Sequence, residues 1–146
     1  MPRARREITI GRPVGEVFAF VSDAENDPQW RTAVLDVERV AGDAPGVGAR
    51  YRQGVKGPFG RRTPADIEVT EFEPERKLAF RVTAGPVRPE GRYELAPAEG
   101  SGTRLIFELW CELTGLKKLL MSGAVQKSMD AEMANLDELK RVLESR

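Results

Sequence analysis

The spacing of apolar residues changes twice along this chain, and the two changes leave few folds open. Val14, Val17, Phe18 and Val21 fall at i, i+3, i+4 and i+7, the stripe of a helix. From Ala33 the period becomes two. Val34 to Val40 is the first candidate strand. In Ala49–Lys56, Tyr51, Gln53 and Val55 alternate with Arg50 and Arg52. Asp66 to Phe72 sets Ile67 and Val69 against Glu68 and Thr70. Leu78, Phe80 and Val82 follow, then Gly91, Tyr93 and Leu95, then Leu105, Phe107, Leu109 and Cys111. Gly46 and Gly48, Gly57-Pro58-Phe59-Gly60, Glu73–Arg76, Gly85-Pro86 and Pro97–Gly102 punctuate these runs as turns and loops. The helical spacing then returns. Val125, Met129, Met133, Leu136, Leu139 or Lys140, and Leu143 advance by threes and fours. Lys127 to Arg146 contains no Gly or Pro, so about 20 residues form a rod of roughly 30 Å.

Shorter elements precede the alternation. Glu7 to Ile10 reads as a strand, and Pro13 suits a helix start. Asn26-Asp27-Pro28 opens a short turn carrying Gln29 and Trp30. Leu116 to Met121 is read as a turn of its own, divided from the last helix near Gly123.

Strands in sequence joined by short turns predict an antiparallel meander, and their alternation predicts one wet face and one buried face. The element long and apolar enough to cover the buried face is the C-terminal helix. The expected fold is α+β: a curved antiparallel sheet of about six to seven strands wrapped around that helix. Two short helices after the first strand lie at one sheet edge, and residues 1–146 form a single domain. A twisted sheet that curls around one helix leaves space between them.

Composition narrows the chemistry. Lys+Arg and Asp+Glu each total 23, so nothing draws the chain as a whole toward nucleic acid. Arg3, Arg5 and Arg6, and the pair Arg61-Arg62, read as solvated charge. Histidine is absent, which removes the commonest base and metal ligand together with Ser-His and Cys-His pairs. Cys111 stands alone within an apolar strand and reads as a buried, inert thiol. No metal spacing and no phosphate loop occur, so no metal and no cofactor are expected. The start, Met1-Pro2-Arg3-Ala4-Arg5-Arg6, lacks a signal-peptide core, and no apolar run reaches membrane-span length. A cytoplasmic protein is the expectation, with a homodimer left open.

The inferred inner face carries Tyr51, Gln53 and Tyr93 as polar handles among Phe80 and Phe107. The facing helix offers Val125, Met129 and Met133. Apolar-ligand pockets have this composition, and so does a packed core with polar tips at its rim; both readings stand. Phe59, in the glycine loop, is a candidate gate or a plain surface ring. Glu108 enters the pocket only if the last strand's phase is reversed, with Trp110 beside it; Glu132 on the helix is a weaker case. No catalytic residue is assigned, and no Asp or Arg is placed on the inner face.

Several segments in order resemble the SRPBCC superfamily, the START/Bet v 1-like helix-grip proteins, and most of all its polyketide cyclase/dehydrase-type branch. They are Ile8–Asp23, Asn26-Asp27-Pro28-Gln29-Trp30, Val47-Gly48-Ala49-Arg50-Tyr51, Val69–Phe80 and Gly102-Thr103-Arg104-Leu105. The resemblance implies a cavity between sheet and long helix. It also implies a lipid, polyketide or aromatic ligand, and a place for Trp30 near the pocket mouth; the same tryptophan reads equally as an anchor of the short helix on the sheet. It leaves activity open. The leading expectation is a carrier or sensor for a hydrophobic or amphipathic small molecule. The alternative is a cyclase or dehydratase using tyrosine acid–base chemistry and substrate orientation. A partner-docking protein is a third reading, resting on the arginine clusters.

Overall fold

The computed structural model describes residues 1–57 and 60–146, so the gate expected at Phe59 lies outside the described residues. The elements run β1 (Arg3–Ile10), α1 (Val14–Val21), a 3-10 segment (Ala24–Gln29), β2 (Val34–Ala41), β3 (Arg50–Lys56), β4 (Arg62–Pro64) and β5 (Ile67–Glu73). Then come β6 (Lys77–Val82), β7 (Glu90–Pro97), β8 (Thr103–Trp110), α2 (Gly115–Ala134) and α3 (Leu136–Glu144). The eight strands form one antiparallel sheet in the order β1-β8-β7-β6-β5-β3-β2, with β4 paired to β3. This is the helix-grip arrangement. The strand beyond the expected number is β4, three residues between the loop read at Gly57–Gly60 and the strand read from Asp66, a stretch to which the sequence assigns no element.

β1 and β2 stand at opposite ends of that order. α1 and the 3-10 segment therefore bridge the two ends of the sheet, rather than lying at one edge. Val17, Phe18, Phe20 and Val21 of α1 turn inward, and Phe18 meets Phe72 edge-on at 5.2 Å. Register shifts in β2 and between Val69 and Glu71 of β5 bend the sheet. β3 is shared. Arg50 and Tyr51 pair with β5, while Gly54 to Lys56 pair with β4. Gln53 closes the gap: its Nε2 donates to Ala65 O at 3.1 Å, and its backbone N donates to Asp66 Oδ1 at 3.2 Å.

The last strand has the expected phase. Leu105, Phe107, Leu109 and Cys111 are buried. Glu108 faces outward, where Arg92 donates to it at 2.8 Å, and the Arg92 guanidinium lies 5.6 Å from the Trp110 ring centroid. Gly91 is required by packing rather than by φ. A Cβ there would come within 2.4 Å of Phe80 Cζ and 2.9 Å of Leu109 Cδ2, so the missing side chain lets the Phe80 ring lie inside.

The C-terminal helix is longer than expected and breaks elsewhere. α2 runs unbroken through Gly123 and ends at Asn135, where α3 begins. Asn135 Oδ1 accepts from the Thr32 backbone N at 3.0 Å, which ties the junction to the loop before β2. Leu139, not Lys140, takes the inward position; Lys140 reaches Thr9 O at 2.7 Å. The helices follow β1 rung by rung. Gln126 exchanges hydrogen bonds with Arg3, the Arg6 guanidinium reaches Met133 O and Asp137, and Glu144 accepts from Gly11 N. Gln126 to Glu144 spans about 27 Å of helix, and Arg3 to Gly11 about 26 Å of strand. The lengths match, so the part of α2 before Gln126 overhangs the end of β1 by roughly 15 Å.

Candidate functional site

The 3-10 segment places the site. Asp23 caps it, its carboxylate accepting from Glu25 N at 3.1 Å. The segment then delivers Asp27, Trp30 and Arg31 into the interior in five residues of chain. Trp30 is 1% exposed. It meets Tyr93 and Phe107 edge-on at 6.5 and 6.3 Å, and those two rings stack at 4.4 Å. Trp30 is thus at the centre, anchoring the 3-10 segment on β7 and β8, rather than at a pocket mouth. Phe80 lies 6.2 Å from Tyr93. Met129 and Met133 are buried over this cluster, while Val125 is half-buried.

Beside the rings is a buried ionic triad. Arg31 Nε and Nη2 donate to the two oxygens of Glu132, at 2.8 and 3.2 Å, and Nη1 donates to Asp27 Oδ2 at 2.9 Å. All three side chains are almost wholly buried. Burial raises the Asp27 pKa to about 6, and the Arg31 guanidinium only partly counters it. Burial works to lower the Arg31 pKa, but Glu132 and Asp27 together outweigh it and hold the guanidinium charged. Burial, reinforced by the Asp27 charge, raises the Tyr93 hydroxyl well above its ordinary value. Burial likewise raises Tyr51. The inner face therefore does carry Asp and Arg, contrary to the sequence expectation.

A cavity of about 20 Å³ lies between α1, the 3-10 segment and the sheet. Asp27, Tyr51, Phe80 and Tyr93 line it with Ser22 and apolar residues of β5 and β6. It has room for about one water-sized group. Of the two readings of this interior, apolar pocket or packed core, the packing lies nearer the second: rings and methionines fill most of it. Two polar atoms of the lining residues, Asp27 Oδ1 and Tyr51 OH, have no hydrogen-bond partner among the described residues. Trp30 Nε1 and Gln53 Oε1 are likewise unpartnered there.

Of the residues expected at the site, Tyr51, Phe80 and Tyr93 meet at the cavity, Phe107 stacks on Tyr93, and Trp30 meets Tyr93 edge-on. Gln53 instead holds the β4–β5 junction. Asp27 and Arg31 were missed, and Glu132 was underrated. A signal existed: Glu132 lies on the inward stripe, three residues after Met129 and four before Leu136. Among the described residues no group of three or more His, Cys, Asp or Glu could hold a metal, and no helix is long and apolar enough to cross a membrane.

A family model described as polyketide cyclase / dehydrase and lipid transport matches residues 1–144. No curated protein matches. A solved protein from Thermus thermophilus is 27% identical over 99% of this chain and 98% of its own, with TM-score 0.79. A START superfamily protein from Mycobacterium smegmatis is 18% identical, covers 98% and 97%, and has TM-score 0.79. The Zhui aromatase/cyclase from Streptomyces sp. R1128 is 16% identical, covers 97% and 90%, and has TM-score 0.70. The last two likenesses are of fold.

Proposed function

The chain belongs to the polyketide cyclase/dehydrase and lipid transport family, and on that premise we propose that it binds a hydrophobic or amphipathic small molecule between sheet and α2, as a carrier or sensor. The observation that carries this reading is the pair of unpartnered polar atoms, Asp27 Oδ1 and Tyr51 OH, beside one small cavity in an apolar interior. Each unsatisfied group costs about 1–3 kcal/mol. A ligand hydroxyl in the cavity would donate to Asp27 Oδ1, and a ligand oxygen would accept from Tyr51 OH. The ligand's apolar body would take space now held by Phe80, Met129 and Met133, and methionine side chains yield readily.

The overhanging start of α2 supports an entry route. Gly115 to Ser128 contains no buried residue, and Lys117 Nζ donates to Pro86 O at 3.1 Å across an open groove of about 320 Å³. Outward movement of this half leaves the Arg31–Glu132 pair, further along the helix, intact.

Native mass spectrometry after gentle extraction from cells should find a retained apolar compound. Titration with long-chain or aromatic alcohols should raise the melting temperature, and Tyr51→Phe should weaken that binding about tenfold. No retained compound and no shift with any apolar alcohol would end the proposal.

One observation favours an enzymatic second reading. An Asp27 carboxyl at about 6 exchanges its proton near neutrality beside Tyr51 and Tyr93. In that reading Asp27 moves a proton at the ligand's carbonyl or hydroxyl, and the tyrosines orient it. Turnover of a polyketide-like substrate that survives unchanged in both Asp27→Asn and the Tyr51→Phe, Tyr93→Phe double variant would remove it.

A further inference from the structure

The outer side of α2 carries a feature that the interior does not explain. Leu116, Leu119 and Leu120 are 69%, 79% and 69% exposed. They follow at i, i+3 and i+4, so they share one face. At about 100° per residue that face lies opposite the stripe of Met121, Val125, Met129 and Met133. The leucines sit on the part of α2 that overhangs β1. The charges from Gly115 to Ser128 are Lys117, Lys118 and Lys127, with no acidic residue. Arg88 adds a cation in the groove below Lys117, and Glu112 is the carboxylate among that groove's lining residues.

We infer that the overhanging end of α2 docks on a lipid surface that carries anionic headgroups. Leucines set among lysines on a projecting helix suit the boundary between headgroup and acyl chain, where an amphipathic helix sinks about 5–10 Å. The roughly 15 Å overhang lets the leucines enter that layer while the sheet stays in water. Charge selects this occupant over a second copy. Self-association through the same face brings Lys127, which shares that face, and Lys117 at its flank against their own counterparts, whereas each lysine near an anionic leaflet raises partition about fivefold. Three leucines and a few lysines give reversible attachment. The inference stands on the outer face and not on the cavity, so either can fail alone.

The test is flotation of the full chain with vesicles of phosphatidylcholine alone, and with about one quarter phosphatidylglycerol added. The protein should float with the anionic vesicles, float several-fold less with the neutral ones, and be released as salt shortens the Debye length. A Leu116→Ser, Leu119→Glu, Leu120→Ser variant should lose more than tenfold of this binding and keep its melting temperature. A Lys117→Ala, Lys127→Ala variant should lose the preference for the anionic vesicles. Wild-type protein that stays unbound with both vesicles would overturn the inference, as would equal flotation of the leucine variant. A dimer in sedimentation velocity that the leucine variant abolishes, without vesicle binding, would assign the face to a second copy and overturn it too.

Discussion

Asp27 has an environment that pulls in two directions. Burial favours its neutral form, Arg31 favours the anion, and Glu132 and Asp23 push back toward the acid. Its pKa rises from 3.8 to about 6. Between those values the folded protein binds the proton more tightly than the unfolded chain. The stability that Asp27 contributes is therefore full below pH 3.8 and is lost as pH rises through 6. The stability of the wild type minus that of Asp27→Asn should fall by about 3 kcal/mol from acid to neutral pH. Urea unfolding across that range measures it, and a flat difference would show an ordinary carboxyl. Arg31 has the complementary role. Arg31→Met leaves two buried carboxylates facing each other and should cost about 3–5 kcal/mol, much of it recovered when Asp27→Asn and Glu132→Gln are added. A loss no larger than that of an exposed pair would show that the triad does little for stability.

α2 has two halves of different character. From Met129 on it is held by the core and by β1; before Gln126 only Met121 and Val125 pack partly on the core, and no residue is fully buried. Gly123 stands near that boundary, and a Cβ there would meet nothing within 4 Å. Alanine at this position restricts the helix without a clash and should stabilise it by about 0.4–1 kcal/mol. Hydrogen exchange should show weaker amide protection in Gly115–Val125 than in Met129–Leu143, and Gly123→Ala should narrow the gap and slow ligand uptake. Equal protection of the two halves in the wild type would remove the hinge. Most elements were legible in the sequence, because the period of Leu78, Phe80 and Val82, or of Leu105, Phe107 and Leu109, has one physical meaning in a half-buried sheet. The break at Asn135 was not legible. It depends on Thr32, 103 residues away, while the glycine that looked like a break sits in a helix continued by its neighbours.

At the scale of the whole molecule, the antiparallel meander and covering helix follow from alternation and stripe, but the filling of the interior does not. Trp30, Tyr93, Phe107, Met129 and Met133 read equally well as pocket walls or as plugs, and only their packing decides. The ionic triad was hidden for a related reason. Asp27, Arg31 and Glu132 look like surface charge one by one, and become an interior unit only when positions 101 apart meet. Leu136, Leu139 and Leu143 of α3 are all nearly fully buried. Burying a leucine is worth about 1.5–3 kcal/mol, against a total stability of about 5–15 kcal/mol. A chain ending at Asn135 should therefore unfold throughout, with loss of sheet signal in circular dichroism and rapid proteolysis across the chain. A folded, merely frayed product would show that α3 is dispensable.

β1 is clasped between β8 and the closing helices, from Arg3 beside Gln126 to Gly11 beside Glu144. During synthesis β1 emerges before either of its neighbours, β8 and the closing helices. Its arginines wait as an unpaired, charged ribbon, a poor template for stray strand pairing, until Thr103 onward has emerged. The clasp on β1 is thus expected to close only after β8 and both helices have been made, because its contacts are all distant in sequence.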